Sequence, residues 1–201
     1  MFLSTQTESL SMFHHNWRTN MPSAKVDTYP SRNVLDIMYP NPECIHIEDI
    51  AHALSMIPRW TGHTRFPYTV GQHSIWCYRN VYGKELGLQA LLHDATEAYM
   101  QDLASPIKKQ CLNYQLIEGR LWSEIAKKFG VPEILDPRVK EVDAAALIRE
   151  RMVLKGQEPI VSADIRYQHW SKTKRDFLDL FYRLTDSNYD TTKPALILCK
   201  N

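Results

Sequence analysis

The prolines and glycines of this chain punctuate its apolar pattern and do not interrupt it. Pro58 follows the helical spacing of Ile47, Ile50, Ala51 and Leu54, and Gly83 follows that of Val70, His73, Cys77 and Val81. Pro106 opens a long stretch that Gly130 closes, and Pro137 precedes RVKEVDAAALIRERMVL. Proline fits the first turn of a helix and cannot continue one, while glycine tolerates the left-handed exit. The spacing predicts helices over 45–57, 70–82, 86–99, 106–129 (bent at Gly119), 138–154 and 171–184. No segment alternates clearly enough for a sheet. The expectation is an all-α bundle of roughly six or seven helices.

A chain of 201 residues matches one domain. Residues 1–44 hold Pro22, Pro30, Pro40 and Pro42 and read as an irregular N-terminal arm. The domain is expected over 45–184. A C-terminal tail over 185–201 includes ALILC, a short strand or a packed extension.

Charge and cysteine usage narrow the setting. A formal net charge of +1 gives no bulk attraction to nucleic acid, so no stable nucleic-acid partner is expected. Cys44, Cys77, Cys111 and Cys199 are scattered and form no C-x-x-C pair. Cys77 reads as a small core residue. The start, MFLSTQTESLSMFHHNW, lacks both a basic opening and an apolar run, so no signal peptide and no membrane association are expected. The expected location is cytoplasmic: that of a bacterium, or of an infected host if the gene is phage-borne.

Chemistry concentrates in LLHDATEAY. Leu91 and Leu92 carry the helix into the core, and His93, Asp94 and Glu97 follow at once. His93 and Glu97 share a helix face, and Asp94 and Glu97 are neighbours on it. A buried charge without a partner is strongly disfavoured, and a divalent cation is one partner. His73 lies on the inward face of its own helix. Asp143 shares a face with Val139, Ala146 and Leu147, an unusual place for a carboxylate. Either residue alone reads most simply as a hydrogen-bonded core histidine or an arginine-paired aspartate. Together, two imidazoles and two carboxylates make a mixed N/O donor set suited to Zn²⁺, Mn²⁺, Fe²⁺, Co²⁺ or Ni²⁺. The number of ions, including an additional Mg²⁺, stays open.

The order H…HD…D on helices resembles the HD superfamily of metal-dependent phosphohydrolases. QHS around His73, LLHDATEAYMQDLASPIK from Leu91 to Lys108, and VDAAAL around Asp143 resemble one branch of it. That branch contains bacterial 5′-deoxynucleotidases and phage dATP triphosphohydrolases. The likeness covers roughly Ile45 to Met152 and implies an HD-domain helical bundle. It implies that His73, His93, Asp94 and Asp143 bind the metal, and that Glu97 acts as general base or acid beside Asp94. It implies that Asp102 contacts the sugar 3′-hydroxyl and disfavours a 2′-hydroxyl. Arg59 and Lys108 would hold phosphate oxygens, and Trp60 and Pro106 would flank the base.

General chemistry is consistent with these roles. Phosphoryl transfer to water needs charge neutralisation and an oriented nucleophile. An arginine offers a planar fork, a lysine a point charge, and a tryptophan a flat face. Each residue also has a plainer reading: solvated Arg59 and Lys108, Trp60 as a loop anchor, Glu97 as a support for His93, Asp102 as a helix cap. His63 lies on the Arg59–Trp60 loop and is a pocket candidate. Arg65 is a spare candidate for a longer phosphate chain, and His52 reads as structural.

The expected function is metal-dependent hydrolysis of a deoxynucleotide substrate. The favoured reaction is that of a dATP-preferring triphosphohydrolase, because RWTGHTR carries two arginines and Lys108–Lys109 add charge. The alternative within the class is a 5′-deoxynucleotidase acting on dNMPs. Alternatives of another class are an HD nuclease and a non-catalytic nucleotide-binding module. A homo-oligomer is expected. Tyr167, Trp170, Phe177, Phe181 and Tyr182 would either form that interface or finish the core.

Overall fold

The computed structural model describes residues 22–158 and 164–186. His14, His15, Cys199 and the ALILC tail lie outside the described residues. The chain is predominantly helical, with one two-stranded sheet among the described residues.

That sheet is a correction to the expected irregular lead-in. Strand β1 (Lys25–Asp27) pairs antiparallel with β2 (Val34–Asp36), Val26 opposite Leu35. Three-residue strands are too short to show period-two alternation, so the pattern is invisible in the sequence. The hairpin joins the core, because Leu35 is fully buried among Ile45, Ile50 and their neighbours. Its turn is pinned by Asp49, whose carboxylate accepts from the Ser31 backbone N–H at 2.8 Å and hydroxyl at 2.6 Å.

Helix α1 (Ile47–Leu54) presents Ile47, Ile50, Ala51 and Leu54 to the core. Helix α2 (Val70–Arg79) begins with a capping box, in which Thr69 and Gln72 satisfy each other's backbone N–H groups. It lies at the centre, against α1, α3 (Lys84–Leu92), α7 (Pro137–Leu154) and α8 (Trp170–Thr185). Gly71 permits the close approach to α1: a Cβ there would meet the Leu54 backbone at 3.2 Å.

The helix expected over 86–99 is broken. Helix α3 ends at Leu92, and a run of turns leads to the short α4 (Glu97–Met100). The helix expected over 106–129 is likewise divided into α5 (Ser105–Lys108) and α6 (Leu112–Phe129). Helix α6 runs uninterrupted through Gly119, where a bend was expected, and ends at Gly130 with φ +69°.

Of the C-terminal aromatic residues, Phe177 and Phe181 finish the core, while Tyr167 and Trp170 are exposed. Truncating a fully buried phenylalanine such as Phe177 costs about 3–5 kcal/mol. No helix among the described residues is long and apolar enough to cross a membrane.

Candidate metal centre

Three helical elements, α2, the end of α3 and α7, converge on one point. His73 projects from α2 and is fully buried. His93 caps the end of α3, and the chain then turns, so that Asp94 leaves the helix axis and swings beside it. Asp143 comes from α7.

The donor atoms stand close together. His73 Nε2 is 3.2 Å from His93 Nε2, 3.5 Å from Asp94 Oδ2 and 3.2 Å from Asp143 Oδ1. His93 Nε2 is 3.2 Å from Asp94 Oδ2 and 3.9 Å from Asp143 Oδ1. A second, overlapping group is formed by His73, Cys77 and His93, whose ligand atoms all lie within 4.8 Å of one another and could hold a metal ion. The two groups share both imidazoles and differ in the completing atom. Cys77 Sγ is 3.6 Å from His73 Nε2, farther than the Asp143 oxygen. Burial pushes the Cys77 thiol up, against the pull of His73.

Both imidazoles are fixed through their other nitrogen. His73 Nδ1 lies 2.7 Å from Glu150 Oε1, and His93 Nδ1 lies 2.9 Å from the Ala90 carbonyl oxygen. Both of those partners are acceptors, so each Nδ1 carries the hydrogen. The two Nε2 lone pairs then face each other at 3.2 Å, with carboxylate oxygens beside them. Such a cluster of electron-pair donors is repulsive unless a cation stands among them. A proton on one of the imidazoles relieves the same repulsion. Burial and Arg59 oppose a charge on His73, yet Cys77 and Asp143 hold its pKa well above the usual histidine value. Burial likewise opposes a charge on Asp94, but His93, His73 and Arg59 hold its carboxyl well below the usual range.

Around this centre the structure gathers other residues singled out in the sequence. Glu97 is buried, and its Oε2 has no hydrogen-bond partner. Burial, then the charges of Asp94 and Asp102, push its carboxyl up to about 10. Asp102 is half-buried and does not cap α5, whose N-cap is Ala104. It lies instead 3.9 Å from Arg59 Nη1, the same nitrogen that is 3.9 Å from Asp94. Arg59 is itself buried, and burial is outweighed by Glu150, Asp94 and Asp102 in keeping it charged.

The remaining candidates are placed differently. Lys108 Nζ bonds Glu118 Oε1 at 2.6 Å, a pairing that the sequence did not reveal. Pro106 and His63 are exposed, and the His63 carbonyl accepts from Lys155. Arg65 donates to the Glu158 carbonyl at 3.0 Å. Trp60 is half-buried. Its indole N–H donates to Glu150 Oε2 at 2.9 Å, and Lys155 Nζ stands 4.9 Å from its ring centre.

The loop carrying these residues is strained. Trp60 (φ +58°) and Thr61 (φ +53°) both adopt the left-handed conformation, and Gly62 (φ +76°) follows. It is held by Arg59 N–H to Tyr68 O at 2.9 Å and by the indole bond.

Glu150 is the residue that the sequence reading missed. It is fully buried and touches His73, Arg59 and Trp60 at once. One signal could have found it: it stands seven residues after Asp143, on the buried face that Val139, Val142, Ala146 and Val153 define. Its flanking arginines, in RER, make it look like part of a solvated face.

No family model matches the chain. It is similar to two curated bacterial proteins. One is the uncharacterized protein YfdR of Escherichia coli K12, 40% identical over 111 residues, covering 55% of this chain and 62% of that protein. The other is the uncharacterized protein RCAP_rcc00048 of Rhodobacter capsulatus, 36% identical over 121 residues, covering 56% of this chain and 62% of that protein. The chain therefore spans less than two thirds of the length of these relatives, and their names carry no activity.

Proposed function

We propose that this chain is a metal-dependent phosphohydrolase of deoxynucleotides, built on a helical bundle of the HD type that its motifs resemble. The observation that supports this most directly is the approach of the two Nε2 atoms to 3.2 Å, flanked by Asp94 and Asp143. His73, His93, Asp94 and Asp143 would hold a divalent transition metal. Such an ion, when bound, neutralises phosphate charge and lowers the pKa of water.

The chain's own residues do the rest. Glu97, buried beside Asp94, orients water and takes its proton. In the ion-free protein Asp94 and Asp102 help to keep it protonated, and offsetting the Asp94 charge relieves that pressure. Arg59 fixes phosphate oxygens from the opposite side of Asp94. Asp102 accepts from the 3′-hydroxyl and leaves no favourable place for a 2′-hydroxyl. Trp60 and Pro106 flank the base, with His63 at the rim.

The reaction proposed is dATP and water giving deoxyadenosine and triphosphate, with Lys108 leaving Glu118 to engage the longer phosphate chain. A second reading, 5′-deoxynucleotidase action on dNMPs, is favoured by one contact: Lys108 is already engaged by Glu118. Phosphorus NMR of the reaction, with Co²⁺, Mn²⁺ or Zn²⁺ supplied, separates the two. Intact triphosphate from dATP supports the first reading. Orthophosphate from dAMP, with dATP untouched, establishes the second, and no hydrolysis of either overturns both.

A further inference from the structure

One carboxylate joins the metal centre to the substrate loop. Glu150 Oε1 accepts from His73 Nδ1 at 2.7 Å. Its Oε2 accepts from Trp60 Nε1 at 2.9 Å and from Arg59 at 3.3 and 3.4 Å. The residue is 0% exposed, so water cannot replace any of these bonds. All its partners are donors, and an ionised carboxylate is the one side chain that accepts from all of them. We propose that Glu150 is a positioning residue: it fixes the ring angle and tautomer of His73, and through its other oxygen it locks the Arg59–Trp60 loop to the same frame.

The consequence for His73 is geometric. A hydrogen held on Nδ1 leaves Nε2 as a lone pair aimed at His93, Asp94 and Asp143. His93 reaches the same state through a backbone carbonyl, which no substitution at that position can remove. Of the two imidazoles, only His73 therefore depends on a replaceable side chain for its orientation. The strained Trp60–Thr61 backbone explains the second oxygen: without an anchor for the indole, the loop has a lower-energy conformation to relax into. Placing both tasks on one carboxylate means that metal ligand and phosphate-binding arginine cannot drift apart independently.

This inference rests on the metal-dependent reading of the site, and its test keeps the two separable. Co²⁺ alone is titrated into wild type, E150Q and W60F and followed by visible absorbance and calorimetry. A glutamine offers one acceptor and must turn its amide toward at least one donor. E150Q is expected to bind Co²⁺ about 10–100-fold more weakly than wild type, the usual effect of removing a histidine's carboxylate partner. W60F, which loses the loop bond but keeps the His73 bond, is expected to retain affinity within a few-fold. Folded E150Q with wild-type Co²⁺ affinity would overturn the proposal while leaving the metal centre intact. Wild type that binds neither Co²⁺ nor Zn²⁺ would overturn the centre itself and Glu150's role with it. Should E150Q fail to fold, the imidazole ¹H–¹⁵N spectrum of Zn²⁺-loaded wild type decides. A hydrogen on His73 Nδ1 supports the proposal, and a bare His73 Nδ1 overturns it.

Discussion

Arg59 Nη1 stands 3.9 Å from Asp94 Oδ2, which places a permanent cation against a carboxylate of the proposed metal centre. The same nitrogen is 3.9 Å from Asp102, and the other side of the guanidinium meets Glu150. Arg59 thus balances buried carboxylates before any phosphate arrives. Arg59→Ala is expected to lose about 3–5 kcal/mol of stability, since it strands buried charge. Arg59→Lys keeps the charge but not the fork, and is expected to fold with a much smaller loss while kcat/KM for the nucleotide falls. Urea unfolding and steady-state kinetics check both, and an Arg59→Ala protein with wild-type stability would refute this account.

Asp94 carries the metal prediction. Asp94→Ala should remove bound metal and abolish turnover together, because it leaves the half-exposed Asp143 as the remaining carboxylate beside His73 and His93. Elemental analysis of the purified variant beside activity with added Co²⁺ or Mn²⁺ tests this. Retained metal and retained turnover would remove Asp94 from the ligand set.

Asp102 carries the sugar prediction. Both sugars offer Asp102 a 3′-hydroxyl, so discrimination rests on rejecting the added 2′-hydroxyl, which a fitted pocket does by roughly 10²-fold. Hydrolysis of dATP should outrun that of ATP by about that factor, and Asp102→Ala should narrow the gap. Equal rates for dATP and ATP in the wild type would end this assignment.

Glu97 should separate binding from chemistry. Glu97→Gln preserves shape and removes the ionisable oxygen, so nucleotide and metal affinity should stay near wild type while kcat falls by about 10²–10⁴-fold. A variant that loses metal affinity and kcat in parallel would make Glu97 a support for the centre instead.

The pH dependence of folding has a source outside the site. Burial, then Lys174, hold the His52 imidazole below its ordinary value, against the pull of Asp49. The unfolded chain therefore takes up the proton more readily than the folded one. The neutral ring's contribution is complete above the ordinary value of about 6.5 and is lost as pH falls below it. His52→Phe keeps a ring against Tyr29 and Trp170 and removes the proton site. Its urea midpoint should vary less between about pH 7 and pH 5 than that of wild type. A slope as steep as wild type's would exclude His52 as the source.

Much of this arrangement is legible in the sequence, and the gaps have physical reasons. His73 stands out because inward helix faces seldom carry such a group. Asp143 is expected on such a face too but is half exposed, and Leu147 beside it is exposed. The structure nonetheless brings both His73 and Asp143 to His93 and Asp94. The break after Leu92 is not legible, because strong helix formers lie on both sides and the turn answers a tertiary demand. Glu118 escapes notice because its role depends on how α5 folds back onto α6. Glu150 escapes because a single charged residue between arginines carries no local sign of burial.

The left-handed backbone at Trp60 and Thr61 sets two selection pressures against each other. A non-glycine residue in that conformation gives up roughly 1–2 kcal/mol, and a β-branched threonine is among the least suited to it. A library selected only for heat resistance should drift toward glycine or asparagine at position 61. A library selected for turnover should resist drift at position 60, where the indole hydrogen reaches Glu150. Directed evolution of this chain would then meet its stability–activity conflict in a single turn of loop.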